Sequence, residues 1–397
     1  MTSPLLNIGE PPRPAPGGFA LFALGFRPFY LLASVFAALS VPLWALQFSG
    51  LLGHAYLAGA IWHAHEMLFG FTLAVIVGFL FTAGRNWTGL PTPTGWPLAA
   101  LAGLWLAARV LVLTPHAVAA AVANVAFPLA AALGLAVPFL RAKNRRNYFF
   151  IALLVAFAAA AGWVHLAQLG VLAAPGWPGV QLALDAVLFI LAVMGGRVIP
   201  MFTNNGLPGA GAARHPQVER AALGGVLALA ACDLLGLRGG PAMAVALAAC
   251  VAHAWRWLLW RPWKSLPVPL LWVLHLAYLW VPVHLLLRGL AERGWVMPSL
   301  ATHALTVGAV GGLVIGMMTR TARGHTGRPL KADGFEVACY GLVALAALVR
   351  VVLPLPWPGL FVPATVVSSL LWSAGFGLYA VRYWPVLSRP RIDGRPG

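Results

Sequence analysis

Long apolar runs, each close to the length of a bilayer crossing, recur along the chain and are broken by short polar or Pro/Gly-rich stretches. A helix needs about 20 apolar residues to cross a hydrocarbon core. On that spacing the pattern predicts twelve helices, near 28–48, 63–83, 96–113, 117–140, 148–169, 181–201, 218–236, 241–260, 267–288, 298–319, 334–353 and 361–385. Breaks such as LPTPTGWP, APGWPG and LPLPWPG carry the turn residues expected between them. Composition agrees: of 397 residues 61% are hydrophobic and 9% charged, with mean hydropathy +0.85. A soluble chain of this length cannot hide that much apolar surface. The expected fold class is an all-α polytopic membrane protein. A single membrane domain over 20–390 is expected between flexible tails at 1–19 and 391–397; the first lacks a secretory apolar core.

The net charge of +17 changes little in this picture. Basic residues of membrane proteins collect in cytoplasmic loops, so nucleic acid is not an expected partner. With the amino terminus inside, 21 of the 26 Lys and Arg residues fall on the cytoplasmic side. The exceptions are Arg109, Arg238, Arg288, Arg293 and Arg350. Both termini are therefore expected in the cytoplasm. Cys232, Cys250 and Cys339 lie in or beside predicted spans without a CxxC, so no disulfide is expected.

Internal similarity organises the spans. TAGRNWTGLP after the second span and TARGHTGRP after the tenth align without a gap at a shift of 238 residues, which also places His65 on His303, Gly70 on Gly308 and Arg85 on Arg323. TNNGLPG after the sixth span lies about half that shift away, and Glu219 matches Glu336 on the same scale. These shifts predict three parallel four-helix units, about 20–145, 146–264 and 265–390, around a pseudo-threefold axis along the membrane normal. Such an architecture is similar to the catalytic subunit of haem–copper oxidases and related nitric oxide reductases, whose low-spin haem is held by histidines on helices 2 and 10. That is an analogy of fold.

Ionisable groups inside a bilayer are costly and point to function. In WHAHEM, His63 and His65 stand two positions apart, so they leave one helix on different faces. This spacing predicts two sites, or one ligand and one supporting group. Glu66 shares a face with His63 by spacing and is a candidate for orienting an imidazole or carrying protons; a helix-start carboxylate is the plainer reading. Seven of eleven histidines, His54, His63, His65, His116, His165, His284 and His303, fall toward the outer side, with His275 deeper. Imidazoles at one level suit haem iron or copper and serve equally as interhelical hydrogen-bonding groups. Arg197, with Asn204 and Asn205, either binds an anion or closes a helix end. Gly308, Gly312 and Gly316 suit close helix packing or the face of a flat haem.

The segments LGFRPFYLLA, WHAHEMLFGF, GRNWTG, GGRVIPMFTNN and HALTVGAVGGLVIGMMTRTARGHTGRPL resemble the NnrS family over nearly the whole chain after residue 18. The resemblance implies a bacterial inner-membrane protein linked to nitric oxide and denitrification, containing haem and copper. The family-like histidines are His63, His65, His303 and His325, with His275 fitting as well. Oxidase copper ligands sit on helices 6 and 7, which hold no histidine here, and position 301 is Ala. Copper would then be built around His63, His275 or His284. Residues and resemblance together give a haem b protein, gripped by His65 and His303, that protects against nitric oxide, with Glu66 and Arg197 as catalytic candidates and quinol as a plausible electron donor. A permease for a metal or nitrogen species, and a haem-handling sensor without turnover, are the alternatives.

Overall fold

The computed structural model describes residues 18–48, 50–53 and 56–394, and all regular structure among them is helical. His54 and most of the expected N-terminal tail lie outside the described residues. Ten helices are long and apolar enough to cross a membrane, and the chain is a multi-pass membrane protein. We number the long helices α1 (Phe26–Phe48), α2 (Gly59–Thr88), α3 (Trp96–Leu111), α4 (Ala117–Arg141), α5 (Phe149–Gln168), α6 (Trp177–Gly206), α7 (Pro216–Leu234), α8 (Gly240–Leu259), α9 (Pro269–Ala291), α10 (Pro298–His325), α11 (Gly334–Val352) and α12 (Phe361–Ser388). The two that fall short of the spanning criterion are α3, which is short, and α7, which carries Glu219, Arg220 and Asp233.

Local chemistry sets the helix ends. Pro97, Pro178, Pro216, Pro241, Pro269 and Pro298 occupy first-turn positions, where a missing N–H costs nothing. Gly89 ends α2 in the left-handed conformation at φ +68°. Asp333 and Glu336 form a reciprocal capping box at the start of α11. α2 and α6 each run about one turn further at both ends than their apolar runs predict.

Each of α4, α8 and α12 packs along the next helix in a closed series: α4 on α5, α8 on α9, and α12 back on α1. The backbone N–H of Ala20 donates to the Ser388 carbonyl at 2.8 Å, so the first and last helices meet at one end of the bundle, here the terminal face. The other end is the distal face. The most buried helices are α2, α6, α9 and α10. Their glycines explain how closely they approach. A Cβ at Gly308, Gly312 or Gly316 would lie 2.3–2.8 Å from Trp280, Ala277 or Val273 of α9, so this run is a helix-packing surface rather than a haem face.

Two departures from α-helical winding fall at the histidines of α2 and α10. Directly after His65, α2 is π-helical over Glu66–Thr72; directly after His303, α10 is π-helical over Ala304–Gly311. Each π segment carries extra backbone in the turn and shifts the phase of the side chains beyond it. The two begin 238 residues apart, at the shift of the internal alignment.

Candidate functional site

Two histidine clusters occupy the distal ends of the buried helices. In the first, the Nε2 atoms of His65 on α2 and His165 on α5 face each other at 3.1 Å, with both residues fully buried. His65 Nδ1 lies 2.8 Å from Glu66 Oε1, and His165 Nδ1 lies 3.0 Å from the Tyr56 hydroxyl. Glu66 also accepts from Arg109 Nη1 of α3 at 2.5 Å. Arg109 Nη2 donates to Asn124 Oδ1 of α4, whose amide donates to the Ala120 carbonyl at 2.8 Å.

The Glu66 carboxylate, paired with Arg109, orders the tautomers in this cluster. A carboxylate only accepts, so His65 carries its proton on Nδ1 and presents a lone pair at Nε2. His165 then donates from Nε2 and accepts at Nδ1. Tyr56 lies in the loop before α2, where burial pushes its phenol up to about 12, so it keeps the proton it donates. The result is one hydrogen-bond direction from Tyr56 through both imidazoles to Glu66. A carboxylate on the rear nitrogen of an imidazole is also the support that metal-binding histidines commonly have.

In the second cluster, the rings of His63 and His303 are nearly parallel, 11° apart, with centroids 6.3 Å apart. Trp44 of α1 packs against His63 with ring centroids 4.6 Å apart. His303 Nδ1 donates to the Ser299 carbonyl at 2.7 Å, which leaves its Nε2 without a partner among the described residues. His63 Nδ1 is buried and makes no hydrogen bond among the described residues. Arg350 of α11 lies within electrostatic reach of both rings. Its Nη2 donates to Ser299 Oγ at 3.2 Å, while its Nη1 is buried and unpartnered among the described residues.

The structure thus pairs His303 with His63 and His65 with His165, in place of the expected His65–His303 pair. The i, i+2 spacing sends the two α2 imidazoles to different neighbours. Glu66 likewise bonds His65 instead of His63, held there by Arg109 of α3.

The remaining candidates stand apart. His275 Nε2 bonds Thr203 Oγ1 at 2.8 Å on α6; it is nine positions, about 13 Å of helix axis, nearer the terminal face than His284. His284 Nδ1 donates to the Ala301 carbonyl at 2.7 Å and lines a small cavity with Gln181, Asp185 and Arg288. Arg197 lies twenty residues along α6 from its distal start, about 30 Å away, and donates to Asn147 Oδ1 at 2.7 Å. It does not join Glu66. Asn204 closes its own segment through two bonds to the Ala212 backbone at 2.9 Å. His325 packs on the Phe26 ring near the terminal face.

Sequence reasoning missed His165 as a partner and Arg109, Asn124 and Arg350 altogether. The signal for the arginines was present: both belong to the few basic residues that break the charge bias. Among the described residues no group of three or more His, Cys, Asp or Glu is placed to hold a metal, so each cluster offers two imidazoles. No curated protein matches the sequence. A family model described as NnrS protein matches residues 20–391, nearly the whole described chain, and with this coverage the chain belongs to the NnrS family.

Proposed function

We propose that this membrane protein of the nitric oxide response holds haem b between His63 and His303 and copper between His65 and His165. The observation that carries the reading is the His63–His303 pair. The two rings lie nearly parallel with centroids 6.3 Å apart, a span that would admit one metal ion held by a nitrogen of each ring at about 2.0–2.1 Å. Both rings keep a nitrogen free, His303 is fixed through its Nδ1, and the unpartnered Nη1 of Arg350 suits a haem carboxylate. For copper, two facing imidazoles supported by Glu66 and Tyr56 are a suitable donor set.

When bound, haem and copper would supply redox-active centres able to bind nitric oxide and pass it electrons, with quinol as the donor. The chain's own residues set the surroundings. Arg109 pairs with Glu66, Glu66 holds the His65 tautomer that presents Nε2, and the Tyr56 oxygen can accept from Nδ1 of a His165 that holds copper through Nε2. We also infer that α3 and α7 cross the membrane, giving twelve spans in three units. The closed packing series, the matching π segments, and the arginine bound to Glu219 in α7 as to Glu336 in α11 support this. The basic bias supports a reading in which the terminal face lies in the cytoplasm of a bacterial inner membrane.

The test is an optical spectrum and a copper measurement on purified protein. Loss of the Soret band in His63→Ala and His303→Ala, with His65→Ala and His165→Ala keeping haem but losing copper, supports the assignment. Full haem in both His63→Ala and His303→Ala overturns it, and a colourless wild-type protein points instead to the permease reading.

A further inference from the structure

At the terminal face, a cavity of about 350 Å³ opens between the end of α10, the start of α11 and the end of α12. Four arginines line it, Arg323, Arg328, Arg382 and Arg389, against one carboxylate, Glu336. That carboxylate is already engaged: it accepts from Arg323 Nη1 at 2.5 Å and from the Tyr383 hydroxyl, and its other oxygen takes the Asp333 backbone N–H at 2.8 Å. Arg382 pairs with Asp333 at 2.8 Å. Among the described residues Arg328 and Arg389 have no carboxylate partner, and Arg328 Nη1 is buried without any hydrogen bond.

Arginines that merely anchor topology extend into water. Here Arg382 and Arg389 are exposed at the mouth while Arg323 and Arg328 are half-buried, and all four line one concavity. Arg323 is locked by the Pro329 carbonyl at 2.8 Å as well as by Glu336, and the capping box holds Glu336 in turn. Burial, together with the neighbouring charges of Arg323, Arg382 and Arg389, holds the Arg328 guanidinium below its ordinary value. That is the signature of positive charge gathered without its counter-charge. A planar fork with two open donors matches phosphate oxygens, and the volume falls within the range of small-ligand sites.

We propose that this cavity is a binding site for a phosphate-bearing anion, with Arg328 and Arg389 as the groups that recognise it and Arg323 and Arg382 as the fixed rim. The phosphate comes either from a soluble ion or from the headgroup of an anionic lipid, since the site lies at the end of membrane-spanning helices. Nothing in it depends on the histidine clusters at the other face.

The experiment uses the full chain, delipidated in a neutral detergent. One arm titrates inorganic phosphate against chloride at equal ionic strength and follows the thermal transition by tryptophan fluorescence. The other measures retention of phosphatidylglycerol against phosphatidylcholine by native mass spectrometry. A phosphate-specific upward shift identifies the soluble ion; selective retention of phosphatidylglycerol identifies the lipid. In either case, Arg328→Gln/Arg389→Gln should weaken binding at least about tenfold. Arg328→Lys, which keeps the charge and loses the fork, should fall between the two. The idea is overturned if neither probe outperforms its control, or if the double variant binds as well as wild type while keeping its thermal transition in chloride.

Discussion

Replacing Arg109 by Met keeps an apolar stem of similar size but removes the guanidinium. Arg109 is 5% exposed and Glu66 1% exposed, so the carboxylate would be left inside the bundle with only the His65 imidazole beside it. Removing one member of a buried ion pair costs about 3–5 kcal/mol, because the survivor keeps its desolvation penalty. Loss of the donor to Asn124 Oδ1 adds about 1 kcal/mol. The double variant Arg109→Met/Glu66→Gln removes both charges, and Gln still offers an oxygen to His65 Nδ1. It should recover most of the loss, and the cycle should show coupling of about 2–3 kcal/mol. Equilibrium unfolding in mixed SDS–detergent micelles measures all four members of the cycle. A cost below about 1 kcal/mol for Arg109→Met, the level of an exposed pair, would refute a buried, charged Glu66–Arg109 contact. Equal stability of the single and double variants would do the same.

The packing and the caps give two further outcomes. Gly308→Ala sets a methyl 2.3 Å from the Trp280 ring and should cost at least about 1–3 kcal/mol; Gly341→Ala, with nothing within 4 Å, should be neutral in the same assay. Asp333→Ala should cost about 1 kcal/mol at neutral pH. Burial alone would raise the Asp333 carboxyl, but the Glu336 N–H, Arg382 and the Phe335 N–H together hold it below its ordinary value. The cap's contribution is therefore full above the unfolded-state value and lost as pH falls through the folded one, so the two proteins should converge in stability in acid.

Much of the helical layout was legible, because a period of apolar residues interrupted by Pro and Gly is a strong local signal. The divergence of His63 and His65 was legible too, since i, i+2 spacing on a helix admits no other outcome. Which partner each would meet was not. That depends on the rotation of α2 against α5 and α10, and π-helical winding reset that rotation just where the polar residues lie. His165 was one of seven imidazoles toward the same side with nothing to single it out, and Arg109 stood as an exception to a charge rule. Charge counting treats such exceptions as noise, yet an arginine on the unfavoured side of a buried helix needs a partner. Arg109, Arg238, Arg288 and Arg350 all have one.

His63 and His65 ride on the same turn of α2, on opposite sides of its axis. A twist of that turn that draws His65 toward His165 also moves His63 relative to His303, so the backbone of α2 joins the two pairs. A ligand that moved one pair through this turn would change the affinity of the other pair by the same factor in both directions.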